Sequence, residues 1–106
     1  MVNQYEIYWI VLDPTLGSEI SKIRPCLVIS PNESNRYLNT VLVAPITSTI
    51  RNFPMRINII LENKNGQIAL DQIRCVDKIR LKNRMDILSN KDIQKVKNSL
   101  KIYLID

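Results

Sequence analysis

Histidine is missing from this chain of 106 residues. Its absence excludes imidazole acid–base catalysis and histidine-ligated metal centres; no metal or other cofactor is expected. Cysteine is nearly as scarce. Cys26 and Cys75 stand far apart, fit neither a zinc nor a redox spacing, and sit in apolar, strand-like surroundings that read as buried thiols. Neither a signal peptide nor an apolar run of membrane-spanning length is read here, so the expectation is a cytoplasmic protein without membrane attachment. Two glycines and an aromatic fraction of 6% argue against low-complexity sequence.

What is present suits one globular unit, and residues 1–106 are read as a single domain. At 12.3 kDa about two thirds of the unfolded chain's surface should be buried, enough for a core without disulfides or metal. Fifteen lysines and arginines against ten acids give a net charge of +5. That balance suits a polyanionic partner, either nucleic acid or an acidic protein. From charge alone, a solvated basic surface is the plainer reading. Nine of the fifteen basic residues lie between Arg74 and Lys101, with only three acids among them.

Glu6–Leu12 is β-branched and aromatic, a first strand. Pro25 opens a second run closed by Pro31, and 32–39 reads as a polar connector. Thr40–Thr47 is apolar throughout, with Pro45 predicting a bulge or an exposed edge. Asn65-Gly66 is the strongest hairpin signal, predicted to pair Arg56–Leu61 with Gln67–Arg74. Residues 76–88 allow a strand, a short helix or both. Ser89 and Asp92 resemble a capping box, and Ile93, Val96, Leu100 and Tyr103 or Leu104 recur at helical spacing. Several short strands followed by one helix predict a mainly β, α+β fold, a small barrel-like antiparallel sheet with a C-terminal helix.

Between the first two strands lie eleven polar and turn-forming residues, Asp13–Ile23. Hairpin loops usually have two to five, which marks this one as a candidate functional loop. Arg24 follows it, and Pro25 then denies its own position a ladder hydrogen bond. Three blocks share residue type, order and spacing with a known family: LDPTLGSEISKIRPCLVISP from Leu12, VAPITST from Val43 and GQIALDQIRCVD from Gly66. On these residues the chain resembles the MazF/PemK family of toxin endoribonucleases. The resemblance covers roughly the first three quarters of the sequence.

The resemblance implies an SH3-like barrel, usually a homodimer, that cuts single-stranded RNA in a toxin–antitoxin pair. Cutting RNA without metal or imidazole is cheapest by attack of the ribose 2′-hydroxyl on its own phosphate. That route needs a proton acceptor, a cation on the crowded phosphorus and a proton for the leaving oxygen. The resemblance makes Arg24 catalytic, and its guanidinium fork matches two phosphate oxygens. It makes Thr47 a donor to phosphate, with Ser48 and Thr49 able to assist. Glu19 is implied either as general base or as a partner orienting Arg24. Asp71 and Gln72 are implied in base contacts, or the acid in catalysis, and both can read the edges of unstacked bases. Ser18 and Asn35 are weaker candidates for the same groove. Without the resemblance, each of these residues reads as ordinary loop or strand chemistry.

The chain departs from the family at Tyr5-Glu6, where Gly-Asp is common, and at Lys22, where glycine is common. The histidine some members carry at the position of Ser18 and the arginine near Ala69 are also absent. The aromatic residues read as core or dimer packing, and none is assigned to RNA. An acidic antitoxin is the implied partner. Two alternatives stand beside this reading. One is a gyrase-poisoning toxin of the CcdB kind, which uses a tryptophan near its end where this chain has only Trp9. The other is a non-catalytic RNA-binding module.

Overall fold

The computed structural model describes residues 1–106. The apolar, β-branched runs form the strands β1 (Glu6–Val11), β2 (Ile23–Val28), β3 (Thr40–Thr47), β4 (Arg56–Leu61), β5 (Lys64–Ala69), β6 (Arg74–Asp77) and β7 (Leu81–Ile87). They join in one curled antiparallel sheet of order β4-β5-β3-β2-β1-β7, with β6 also paired to β3. Two apolar clusters form within this curl. Ile7, Leu27, Ala44, Ile46 and Ile68 pack with Leu88 and Val96 in one. Ile10, Leu12, Cys26, Val28, Val43 and Val76 pack in the other. The split follows from strand alternation, since consecutive residues of β1, β2 and β3 serve opposite faces.

β3 holds the architecture together. Its first half, Thr40–Val43, pairs with β6, and its last residues, Ile46 and Thr47, pair with β5. Pro45 stands at this changeover, buried and opposite Cys26 of β2. It therefore marks neither the bulge nor the exposed edge predicted for it. A residue without an N–H leaves no orphan donor where β3 passes between partners.

The β4–β5 hairpin forms, but Asn65-Gly66 is not its turn. Leu61 pairs with Lys64, and Glu62 and Asn63 take the positive φ values of 50° and 63°. Asn65 and Gly66 lie inside β5, opposite Ile60 and Ile59. The reason is steric: a Cβ at Gly66 would lie 3.3 Å from the Thr47 carbonyl oxygen. Glycine is needed there for the close approach of β5 to β3 rather than for the turn.

The polar connector contains a short helix, α1 (Asn32–Tyr37), while 76–88 resolves into the end of β6, a 3-10 turn and β7. α2 (Asn90–Leu100) begins where Ser89 accepts a hydrogen bond from the Asp92 amide at 3.2 Å. Val96 is buried, with Ile93 and Leu100 packed beside it. A π-helical turn over Lys101–Ile105 then ends the helical segment, leaving Ile102–Ile105 exposed. Tyr5 and Lys22, the two positions where the resemblance led to an expectation of glycine, adopt φ of 68° and 70°, so each holds a left-handed conformation without glycine. Asp13 Oδ1 accepts the Lys22 amide at 2.9 Å and offsets part of that strain. No helix is long and apolar enough to cross a membrane.

Candidate active site

The β2–β3 register brings the principal candidates together. Cys26 stands opposite Pro45; two residues further along each strand in that register stand Arg24 and Thr47. Both line a cavity of about 270 Å³. Arg24 is half-buried and its Nε donates to the Ser21 carbonyl at 3.2 Å, which fixes the guanidinium beside the loop. The protein has three ion pairs, Arg56–Asp71, Arg84–Glu6 and Lys95–Asp92, and Arg24 is in none of them. Its charge is therefore available to an incoming anion. Thr47 is buried, and its Oγ1 accepts the Thr49 amide at 3.1 Å, which leaves the hydroxyl proton to donate elsewhere. Ser48 lines the same cavity, as do Lys64, Asn65, Trp9 and Met85.

The other candidates collect around a neighbouring pocket of about 400 Å³, lined by Ser18, Glu19, Asp71, Gln72 and Arg74. Consecutive residues of β3 separate the two: Pro45 lines this pocket, Ile46 and Thr47 the other. Glu19 neither pairs with Arg24 nor shares its cavity. Its Oε1 instead accepts the Leu16 amide at 2.6 Å and shapes the loop. The only carboxylate lining the Arg24–Thr47 cavity is Glu62. Asp71 is engaged by Arg56 through two hydrogen bonds of 2.7 and 3.1 Å. The Arg56 guanidinium holds the Asp71 carboxyl below the usual carboxylate range, which makes it a poor proton acceptor.

Gln72 is occupied at both ends. Its Oε1 accepts the Ile20 amide at 2.8 Å and its Nε2 donates to the Ser18 carbonyl at 3.4 Å, so it clasps the long loop. Asn35 is a correction. It is fully buried, its Nδ2 donating to the Ser30 carbonyl and its Oδ1 accepting from Ser30 Oγ. A side chain spent on tying α1 to Ser30 cannot meet RNA. Cys75 is likewise exposed rather than buried, unlike Cys26, whose thiol burial pushes up to about 12.

Sequence reasoning missed two kinds of residue. Gln67 is buried and brackets Arg51, accepting its amide and donating to its carbonyl, each at 3.0 Å. It thereby anchors the segment that follows Thr47. Arg74 and Arg80 donate to the carbonyls of Leu12, Val11 and Asp13 and hold the entry to the long loop. Such contacts bridge residues more than 60 apart and leave no local pattern.

The model of PemK-like, MazF-like toxins of type II toxin-antitoxin systems matches residues 3–104. The chain is 36% identical over 110 residues to an endoribonuclease MazF of Staphylococcus saprophyticus, across 98% of this chain and 92% of that protein. These matches decide the family.

The chain belongs to the PemK-like, MazF-like toxins.

Solved members share the fold. A MazF from Deinococcus radiodurans superposes with a TM-score of 0.85 at 22% identity, over 97% of this chain and 96% of that one. A mycobacterial endoribonuclease in complex with its cognate antitoxin gives 0.83 at 20%, over 98% and 95%. The curled sheet with its C-terminal helix is thus the MazF architecture. Arg24 and Thr47 stand at the matching strand ends of two neighbouring strands within it.

Proposed function

We propose that this MazF-like toxin is a metal-independent, sequence-specific endoribonuclease that cuts single-stranded RNA, messenger RNA above all. The observation that carries the reading is the joint placement of Arg24 and Thr47 in one cavity, with the arginine free of any carboxylate. In the proposed step the 2′-hydroxyl passes its proton to solvent, from which the leaving oxygen is later protonated, and its own oxygen attacks phosphorus. The bond from phosphorus to the 5′-oxygen breaks, and that oxygen leaves with the electron pair and takes up a proton. The products are a 2′,3′-cyclic phosphate and a 5′-hydroxyl. Arg24 spans two phosphate oxygens as negative charge concentrates there, and Thr47 donates its hydroxyl to one of them. Ser48 assists Thr47. Glu19 is held by the Leu16 amide, so a role as proton acceptor requires the loop to rearrange on RNA. Ser18, Asp71 and Gln72 are assigned to the flanking nucleotides through the neighbouring pocket they line.

The proposed partner is an acidic antitoxin in the same cytoplasm, supported by the chain's charge of +5 and by the antitoxin complex of the mycobacterial relative. A homodimer is proposed as well. It is supported by large apolar side chains left exposed, among them Ile23, Ile60, Ile79 and Ile87.

The test is incubation with mixed-sequence RNA in excess chelator, with the new ends mapped by sequencing. We expect cyclic-phosphate ends at one recurring short sequence. Arg24→Ala should lose about 10²- to 10³-fold in rate, the scale of deleting one aimed charge-stabilising donor. Uncut RNA, or ends scattered without a common sequence, would overturn the reading. RNA bound by both proteins and cut by neither would point to a binding module.

A further inference from the structure

Trp9 is the chain's only tryptophan, and neither the fold nor the proposed chemistry uses it. It packs in neither apolar cluster, whereas Tyr5 and Tyr8 each pack against one. Tyr8 also donates its hydroxyl to Glu6 Oε1, and the Phe53 ring lies under the Arg56 guanidinium. Trp9 remains 37% exposed in the middle of a strand whose neighbours Ile7 and Ile10 are fully buried. In the β1–β2 register it stands opposite Pro25, one pair along from Ile10 and Arg24. Most tellingly, it lines the cavity that holds Arg24 and Thr47.

That cavity is two-sided in chemistry. Trp9, Pro25, Leu61 and Met85 supply an apolar wall, while Arg24 and Lys64 supply positive charge. Glu62 is the single acid at its edge. A nucleotide has the same two halves, a flat aromatic base and an anionic phosphate. A cavity of about 270 Å³ is small enough that a group touching Trp9 and a group touching Arg24 belong to the same or adjoining nucleotides. Indole and base faces stack irrespective of sequence, because every base presents a π surface. We propose that Trp9 is a base-stacking subsite that seats the nucleobase beside the scissile phosphate of single-stranded RNA. The proposal rests on the nuclease reading and names the part of the substrate that the reading left without a contact. Stacking would fix the nucleotide so that its phosphate meets the Arg24 fork, which places Trp9 in binding and alignment rather than in proton transfer.

A lone tryptophan makes the test direct, since all indole emission comes from this position. The probe is a mixed-sequence single-stranded RNA with 2′-O-methyl groups, which lacks the attacking hydroxyl and stays intact. Titration into the wild-type protein should quench the emission saturably, at the same concentration that half-saturates binding in a filter assay. With cleavable RNA, Trp9→Ala should raise KM by about 10- to 100-fold with a much smaller change in kcat, and Trp9→Phe should recover most of the loss. Binding on the filter without any change in emission would overturn the proposal while leaving the nuclease intact. So would emission that shifts with protein concentration alone and ignores RNA, because Trp9 would then be covered by a second copy of the chain. Saturable quenching by a protein that cuts no RNA would uphold the subsite and sink the nuclease reading instead.

Discussion

At Gly66 one missing methyl group sets how near β5 can lie to Thr47. A Cβ there would meet the Thr47 carbonyl at 3.3 Å and Ile46 Cγ2 at 3.5 Å, so Gly66→Ala must push β3 aside by a few tenths of an ångström. Alanine is otherwise acceptable within a strand. We expect the thermal midpoint of Gly66→Ala to move by only a few degrees while cleavage falls about tenfold, through misplacement of the threonine hydroxyl. Paired melting and rate measurements check this; unaltered cleavage would mean that the carbonyl yields without moving the side chain. The two thiols differ in the same local way. Cys26 is buried and its ionisation is suppressed, while Cys75 is exposed. A thiol reagent such as Ellman's should titrate one group in the native protein and two after denaturation. Arg24 was singled out by the family resemblance alone, since an arginine between a polar loop and a proline otherwise reads as ordinary strand-edge chemistry. Asn35 was misread because a polar residue in a connector gives no sign that the connector folds inward onto Ser30.

Among the elements, the strands were legible from their β-branched runs, and α2 from its cap and its apolar spacing. The β4–β5 pairing was legible too, but its turn was placed three residues late. Local turn chemistry favours Asn-Gly, and a tertiary demand, the approach of β5 to β3, took the glycine for itself. The long loop between β1 and β2 was visible as a loop, whereas its fastening was not. Gln72 ties that loop through Ser18 and Ile20, across more than 50 residues. Gln72→Ala should free it, raising amide exchange at Ile20 by about tenfold, the equivalent of one lost hydrogen bond. Exchange rates in β1 and β2 should stay at wild-type values. Hydrogen-exchange mass spectrometry resolves the difference, and an unchanged loop would show that the Asp13–Lys22 contact holds it unaided.

For the molecule as a whole, two carboxylates tie stability to acid. Burial alone would raise Glu6, but hydrogen bonds from the Asn3 amide, Arg84 and Tyr8 outweigh it and lower its pKa. Arg56 lowers Asp71 in the same direction. Because both folded values lie below the unfolded ones, their stabilisation is complete above the ordinary carboxylate range near pH ~4 and disappears as pH falls through the folded values. Thermal midpoints should therefore be flat from about pH 5 to 7 and decline below about pH 4. Glu6→Gln should lower the midpoint at pH 7 and make the acid decline shallower; an equally steep decline would shift the acid sensitivity elsewhere. β3 has a further consequence at this scale. Three ladders, from β2, β5 and β6, grip it independently. Sliding by one position would invert every side chain along it and break all three at once. Its aim is thus overdetermined, insulated from whatever happens in the surrounding connections. Arg24 has no such insulation, since its guanidinium leans on the Ser21 carbonyl of the long loop; remodelling meant to change how RNA is contacted is therefore best kept to connections other than that loop, with β3 left as it is.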